Sequence, residues 1–444
     1  MYKKVNELNI KPKNLNDLHA KIVSYASCGE YDQAAEYLQQ SNLFNDKARL
    51  ELATALAMYM PTQALELLGD INDQNAALYL SLLWKLQLRE QAKQQATSLI
   101  NQKIRYEMND RYGQLNLILA NVLANQASDK LLYLNQFLAH NQINPVKMIN
   151  PDLPLNVHNI SAETQVITQI QGLSPLVSII VTAYNAVDTI EMNLKSLLKQ
   201  SYQNIEIIIV DDSSTDKTVE KVRQFTREYS RIKLIQLKVN VGTYVAKTIG
   251  FQYASGEFIT CHDSDDWAHP QRIETQLRPL IEHDHLVATT CNWVRVDEDG
   301  NFYARQIYPL NRLDPASPMF RKVLIEQEMG LWNLVRTGAD SEFLARMKLV
   351  FGRKSVLAIK KPLVLGYHRA NSLMTASDTG HHSDQVSPIR LEYWEAWNNW
   401  HIHAIKHAIP LKMPDIQAYE SPFPVPKNIE VSIDTIYHAA QSPV

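Results

Sequence analysis

Cysteine is scarce in these 444 residues, which hold only Cys28, Cys261 and Cys291. They are far apart, odd in number and free of CxxC spacing, which excludes a disulfide framework and gives no sign of a zinc site. A reducing cytosol is the expected setting. Charge of one sign is also lacking: 44 Lys and Arg stand against 47 Asp and Glu, a formal net charge of −3. Nothing overall therefore favours nucleic acid or another polyanion as a partner. Long apolar runs are missing as well. No window approaches the roughly 18 consecutive apolar residues that a membrane span needs, and the opening "MYKKVNELNIKPKN" carries no apolar signal core. A cytoplasmic chain is expected, with any membrane contact peripheral, at the inner face. What is there is an ordinary globular composition, 45% hydrophobic and 20% charged, in a chain long enough for two or three domains.

Residues 1–142 read as helix after helix, with apolar positions three and four apart in "DQAAEYLQQ", "ARLELATALAMY", "AALYLSLLWKL" and "YGQLNLILANVLA". A weak echo recurs roughly every 30 residues, where Gln33-Ala34, Gln63-Ala64 and Gln91-Ala92 each open a helix. Small residues there let paired helices approach closely, and "GEYDQAAEYL" resembles a helix of a tetratricopeptide-type repeat. Such a domain either packs without a ligand of its own or binds a partner or acceptor. Prolines and asparagines from "NPVKMINPDLPLNVHNIS" mark a linker at 143–174.

The expected second domain spans 175–400. "LVSIIVTA", "IEIIIV", "IKLIQL" and "EFITCHD" are short β-rich runs separated by helical stretches such as "IEMNLKSLLKQ" and "VEKVRQFTREY". That alternation predicts an α/β fold with a mainly parallel, doubly wound sheet, in which ligands bind beyond the carboxyl ends of the strands. The strand ends carry Thr182-Ala183-Tyr184-Asn185, Asp211 to Asp216, and Asp263-Ser264-Asp265-Asp266. Neighbouring carboxylates repel, so such clusters persist where a cation or a base edge compensates them. Capping of the following helices is the competing explanation for both acidic stretches.

These ordered strand ends carry a family resemblance. "PLVSIIVTAYNAVDTIEMNLKSLLKQSYQNIEIIIVDDSSTDKT" and "NVGTYVAKTIGFQYASGEFITCHDSDDWAHP" resemble the nucleotide-sugar half of a GT-A fold family 2 glycosyltransferase over residues 175–270. "RTGADSEFLARM" is similar to the acceptor-side segment, and "YHRANSLMTAS" to the closing motif of that family. The resemblance implies a UDP-sugar donor and a glycan or lipid-linked acceptor in surface polysaccharide synthesis. Thr182 and Tyr184 would hold the nucleotide base, Asp212 the uracil N3–H with Asp211 beside it, and Lys247 the diphosphate. Asp263-Ser264-Asp265 is the DxD element, holding the ribose and a Mn²⁺ or Mg²⁺ ion. Transfer with inversion needs a base for the acceptor hydroxyl. Asp340 matches the second acidic position of the family's pair, the first being Ala339 here, and Glu342 is the alternative base. His368 is a candidate metal ligand and Arg369 a candidate phosphate contact. An inactive fold serving as an interaction scaffold through its helical domain is the competing reading; an aspartyl phosphohydrolase lacks the Thr it would need in "DSDDW".

Other features have a plain reading beside a sharper one. His262 should point away from Asp263 and pack. Trp267 and Trp293 would be sugar platforms or core. "DEDG" at 297–300 reads as a hairpin turn. Trp394, Trp397 and Trp400 lie at three-residue spacing on an amphipathic helix that either docks on the catalytic domain or rests on a membrane interface. Residues 401–444 are expected as a Pro-rich tail wrapping the surface.

Overall fold

A computed structural model of the protein describes residue 12 and residues 14–101, 113–369 and 387–441. Its first part is helical: α1 (Leu15–Ser27), α2 (Tyr31–Leu38), α3 (Asp46–Leu56), α4 (Pro61–Leu68), α5 (Ala76–Lys85), α6 (Arg89–Asn101), α7 (Gln114–Leu123) and α8 (Ala127–His140). Local signals start several of them. The Asn14 side chain accepts from the Asp17 N–H and Asn45 from the Ala48 N–H, while Pro61 opens α4. Ala34, Ala64 and Ala92, the alanines of the sequence echo, are all fully buried. They sit where neighbouring helices close up. Residues 143–174 are more than a connector, since they form the antiparallel pair β1 (Val146–Met148) and β2 (Ile160–Ala162).

The α/β part follows as β3 (Val177–Ala183), α9 (Ile190–Leu198), β4 (Ile205–Asp211), α10 (Thr218–Glu228), β5 (Ile232–Gln236), α11 (Thr243–Gln252), β6 (Phe258–Asp263), β7 (Trp267–Ala268), α12 (Arg272–Glu282) and β8 (Ala288–Val296). Then come β9 (Phe302–Tyr303), β10 (Arg312–Leu313), β11 (Met319–Arg321), α13 (Lys322–Leu324), α14 (Ala339–Val350), β12 (Val356–Tyr367), α15 (Pro388–Lys406) and α16 (Ile433–Gln441). The main sheet runs β5-β4-β3-β6-β11-β8-β12-β7, with β9 and β10 added to β8. Strands β3 to β6 are parallel, and β11 is antiparallel to both its neighbours. The turn expected at 297–300 joins β8 to β9, with the Gly300 N–H donating to the Asp297 carbonyl.

Strand residues alternate between two helical layers, as a sheet covered on both faces requires. Ile179, Val181, Ile207 and Ile209 pack with α9, α10 and α12, whereas Ile180, Ile208 and Val210 pack with α11, α14, α15 and the C-terminal segment. The tail is not a surface wrap: Met413, Ile416, Tyr419, Phe423, Ile429, Val431 and Ile436 are buried in this second layer. Trp397 is buried too, with Trp394 and Trp400 packed against the same core, so the indole row docks inward and is not a membrane face.

The helical region belongs to the same body. A third cluster joins α5 to α8 with Trp267, Val294, Val296, Phe302 and Leu363 to Leu365. Asn121 on α7 makes two 2.8 Å hydrogen bonds to the Phe302 backbone, donating to its carbonyl and accepting from its N–H. Trp267 is therefore core rather than a sugar platform, seated between the acidic loop and the helices.

Candidate active site

Sheet register brings the predicted strand ends together. Thr182 lies opposite Val210 on one side and Asp263 on the other, and Ala183 lies opposite Asp211. Beyond that rim Tyr184 is half exposed, its ring free to stack on a planar base. Thr182 Oγ1 lies 2.8 Å from Thr243 Oγ1 at the start of α11.

The loop after β6 is held from beneath. Asn193 on α9 donates to the carbonyls of Asp263 and Asp266, and Asp266, itself buried, accepts the Tyr367 N–H. His262 is buried beside Arg272, Nδ1 to Nη1 at 2.8 Å, the packing role expected of it. Two carboxylates are left on the site side. Asp263 keeps 42% of its side chain exposed. Asp265 receives Arg369 Nε at 3.1 Å; burial pushes its carboxyl up, Arg369 opposes, and Asp263 adds to the rise.

Opposite this loop, residues 336–340 lie along residues 240–247. Arg336 donates to Asn240 Oδ1 at 2.8 Å, and a Cβ on Gly242 (φ +82°) would meet Arg336 Cα at 2.9 Å. Asp212 fixes this crossing by accepting the N–H groups of Val241 (2.7 Å) and Gly242 (2.8 Å). Burial raises the Asp212 carboxyl to about 6 in spite of those bonds. From the helix that starts there, Tyr244 Oη donates to Asp340 Oδ2 at 2.8 Å and Lys247 Nζ reaches Asp340 Oδ1 at 3.4 Å. Lys247 also lies 3.9 Å from Asp263 and is held well protonated: burial opposes its charge, and Asp340 and Asp263 outweigh it. Burial pushes the Asp340 carboxyl up, with Lys247 opposing.

Several residues stand elsewhere than the sequence placed them. Glu342 is fully buried, with Arg346 donating to both its oxygens (2.7 and 3.0 Å) and His401 Nε2 3.0 Å away. Its side chain is unexposed and committed to that ion pair, the arrangement of a structural carboxylate and not of the base the sequence offered. Asp212 spends both oxygens on the loop backbone, so its first role is anchoring. Lys247 is buried between Asp263 and Asp340 instead of projecting to a phosphate, and Arg369 is paired with Asp265. His368 stacks flat on Tyr303 at 3.8 Å; it stands in no group of three or more metal-ligating side chains among the described residues. The closing motif beyond Arg369 lies outside the described residues. Asp211 is buried, with Oδ1 unpartnered, and its carboxyl is raised by that burial.

Sequence reasoning missed Tyr244 and Asp314. Asp314 is buried, its carboxyl raised by burial to about 7 against the pull of Arg272, with Asp263 and Asp340 adding to the rise. No local pattern marks it. Tyr244 had a signal, since it stands three residues before Lys247 and so shares its helix face.

Asp263 and Asp265 likewise stand in no group of three or more metal-ligating side chains among the described residues, but as two carboxylates they are of the kind that hold Mg²⁺ together with substrate phosphates. Their mutual repulsion is only partly met by Arg369.

The α/β half thus ends in a rim of aspartates, with a further carboxylate facing it from a helix start. Residues 178–339 match Glycosyl transferase family 2, and this part of the chain is a family 2 glycosyltransferase domain. The chain is 41% identical over 127 residues to an uncharacterized glycosyltransferase of Haemophilus influenzae, covering 29% of this chain and 50% of that protein. It is 40% identical over 109 residues to the Escherichia coli UDP-Glc:alpha-D-GlcNAc-diphosphoundecaprenol beta-1,3-glucosyltransferase WfgD, covering 24% of this chain and 42% of WfgD. These matches span half or less of the relatives' own lengths. Among solved structures, S. aureus TarS 1-349 in complex with UDP-GlcNAc is 23% identical over 45% of this chain and 61% of that one. Its TM-score of 0.38 marks a partial overlap that carries no weight for function.

Proposed function

We propose that the chain transfers a sugar, with inversion, from a UDP-sugar to a hydroxyl of a glycan or lipid-linked acceptor in surface polysaccharide synthesis. The observation that carries this reading is the Asp263–Lys247–Asp340 arrangement, which sets a carboxylate at a helix start across from the strand-end aspartates. The family match and the name of WfgD support the reaction class and the UDP-linked donor.

In this reading Tyr184 and Thr182 receive the base, with Asp211 beside them. Asp263 and Asp265 would be the residues to hold a Mn²⁺ or Mg²⁺ ion, which would supply positive charge to offset a departing diphosphate. Asp340 takes the acceptor proton as the acceptor oxygen bonds to the anomeric carbon and the anomeric C–O bond to UDP breaks. Burial raises its carboxyl, as suits a base, and Lys247 opposes that rise. Arg369 is placed to exchange Asp265 for phosphate oxygens. The helical region, fused to the sheet through Trp267 and Phe302, braces the acidic loop. No helix among the described residues is long and apolar enough to cross a membrane.

Calorimetry of UDP binding with and without Mn²⁺, on wild type and on Asp340→Asn, tests the assignment. Metal-dependent UDP binding in both, with turnover of the donor lost only in D340N, is expected. No UDP binding in either condition would favour a scaffold role, and near-wild-type turnover by D340N would refute the base.

A further inference from the structure

We propose that the Tyr244 hydroxyl is the positioning group for the Asp340 carboxylate, fixing the base for proton transfer while contributing nothing to donor affinity. This rests on Asp340 being the base. Both hydrogen bonds of the hydroxyl go to that residue: Oη donates to Oδ2 at 2.8 Å and accepts the Asp340 backbone N–H at 3.3 Å. That N–H is one of the first-turn donors that α14 cannot satisfy internally. One oxygen atom thus ties the carboxylate and the start of its helix to the same point.

The point itself does not move freely. The Tyr244 ring is buried in the layer beneath α14, with Lys247 Nζ 5.1 Å from its centroid. α11 is pinned at its start by Asp212 on the Val241 and Gly242 N–H groups. It is seated on the sheet by Gly250, where a Cβ would meet Ile180 and Val210 at 2.8 and 2.9 Å. The other charged groups facing Asp340 are Lys247 on α11, Asp263 on β6, Asp314 ahead of β11 and Arg390 on α15. Lys247 is shared with Asp263, so it sets charge for both carboxylates, whereas Tyr244 serves Asp340 alone. Each carboxylate oxygen keeps a lone pair beyond its present donor, so the grip leaves a position for an acceptor hydroxyl. Burial raises the Tyr244 phenol, and the Asp340 charge adds to it. The hydroxyl therefore stays a donor throughout.

Tyr244→Phe removes the oxygen and keeps the ring under Lys247. With the UDP-sugar that the wild-type chain turns over, Y244F is expected to lower kcat by about 10- to 100-fold, the worth of a hydrogen bond to a charged group. Donor KM and calorimetric UDP affinity are expected to stay within about twofold. Because Tyr244 acts through Asp340, adding Y244F to Asp340→Asn should lower the residual rate no further. A Y244F kcat within about twofold of wild type would overturn the proposal. So would a loss of UDP affinity matching the loss of rate, or a further loss in the double variant. D340N alone separates the premises: if it turns over donor normally, the base assignment has failed; if it is inactive while Y244F is unimpaired, only the positioning role has failed.

Discussion

Glu342→Gln separates a structural carboxylate from a catalytic one. In the folded protein Glu342 is fully buried, doubly hydrogen-bonded by Arg346 and touched by His401. Arg346 spends its remaining donors on the carbonyls of Met329 and Leu331. The pair therefore ties α14 to α15 and to the turn before residue 331. Glutamine keeps the shape and one acceptor but removes the charge, and its amide group faces the guanidinium. Leaving one partner of a buried ion pair uncompensated costs about 3–5 kcal/mol. At about 2 °C per kcal/mol for a domain of this size, the melting temperature should fall by about 6–10 °C. Burial pushes the Glu342 carboxyl up, but Arg346 and His401 outweigh it and hold it below its ordinary range. Its contribution is then complete above about pH 4.3 and is lost as pH falls through the lower folded-state value. The gap between wild type and E342Q should close in acid. Thermal unfolding across pH, paired with donor turnover measured well below both transitions, makes the test. Unchanged melting with a loss of turnover beyond about 100-fold would make Glu342 catalytic and refute the reasoning.

Two further perturbations probe what holds the site. Gly242→Ala places a Cβ 2.9 Å from Arg336 Cα at φ +82°, ψ 164°, a backbone region open essentially to glycine alone; a cost of about 1–3 kcal/mol and a lowered kcat from displacement of residues 336–340 are expected. Melting and kinetics identical to wild type would show that this crossing does not position Asp340, the proposed base. Asn121→Ala orphans the Phe302 N–H and carbonyl that it serves at 2.8 Å, for about 2–6 kcal/mol in all. Limited proteolysis should then release the helical region from the catalytic domain, and unchanged protection would mean that apolar packing alone holds them together.

Much of the strand-end rim was legible in the sequence because it is local. Each strand announces itself by a β-branched run, and in a parallel sheet the residue after the run is delivered to one rim. Thr182, Asp211 and Asp263 therefore meet as the order of motifs requires. The alanines of the helical echo, the hairpin turn at 297–300 and the packing of His262 follow from equally short-range rules. The choice between Asp340 and Glu342 was not local. Residues two apart on a helix point to different sides, and only the packing of α14 shows that Glu342 faces Arg346 and His401 while Asp340 faces α11. The indole row was ambiguous for the same reason, since an apolar stripe states that a face is covered without stating by what.

The sequence by itself determined the α/β class, the resemblance to family 2 glycosyltransferases over residues 175–270 and the set of strand-end carboxylates, because each depends on residue order within a few turns or strands. Tertiary structure alone decided that Asp212 anchors a loop, that Lys247 lies between two carboxylates, that the C-terminal segment is core, and that Tyr244 grips Asp340 across 96 positions of chain. Hydrogen bonds and ion pairs between distant segments depend on how the layers close, and no local pattern encodes that closure.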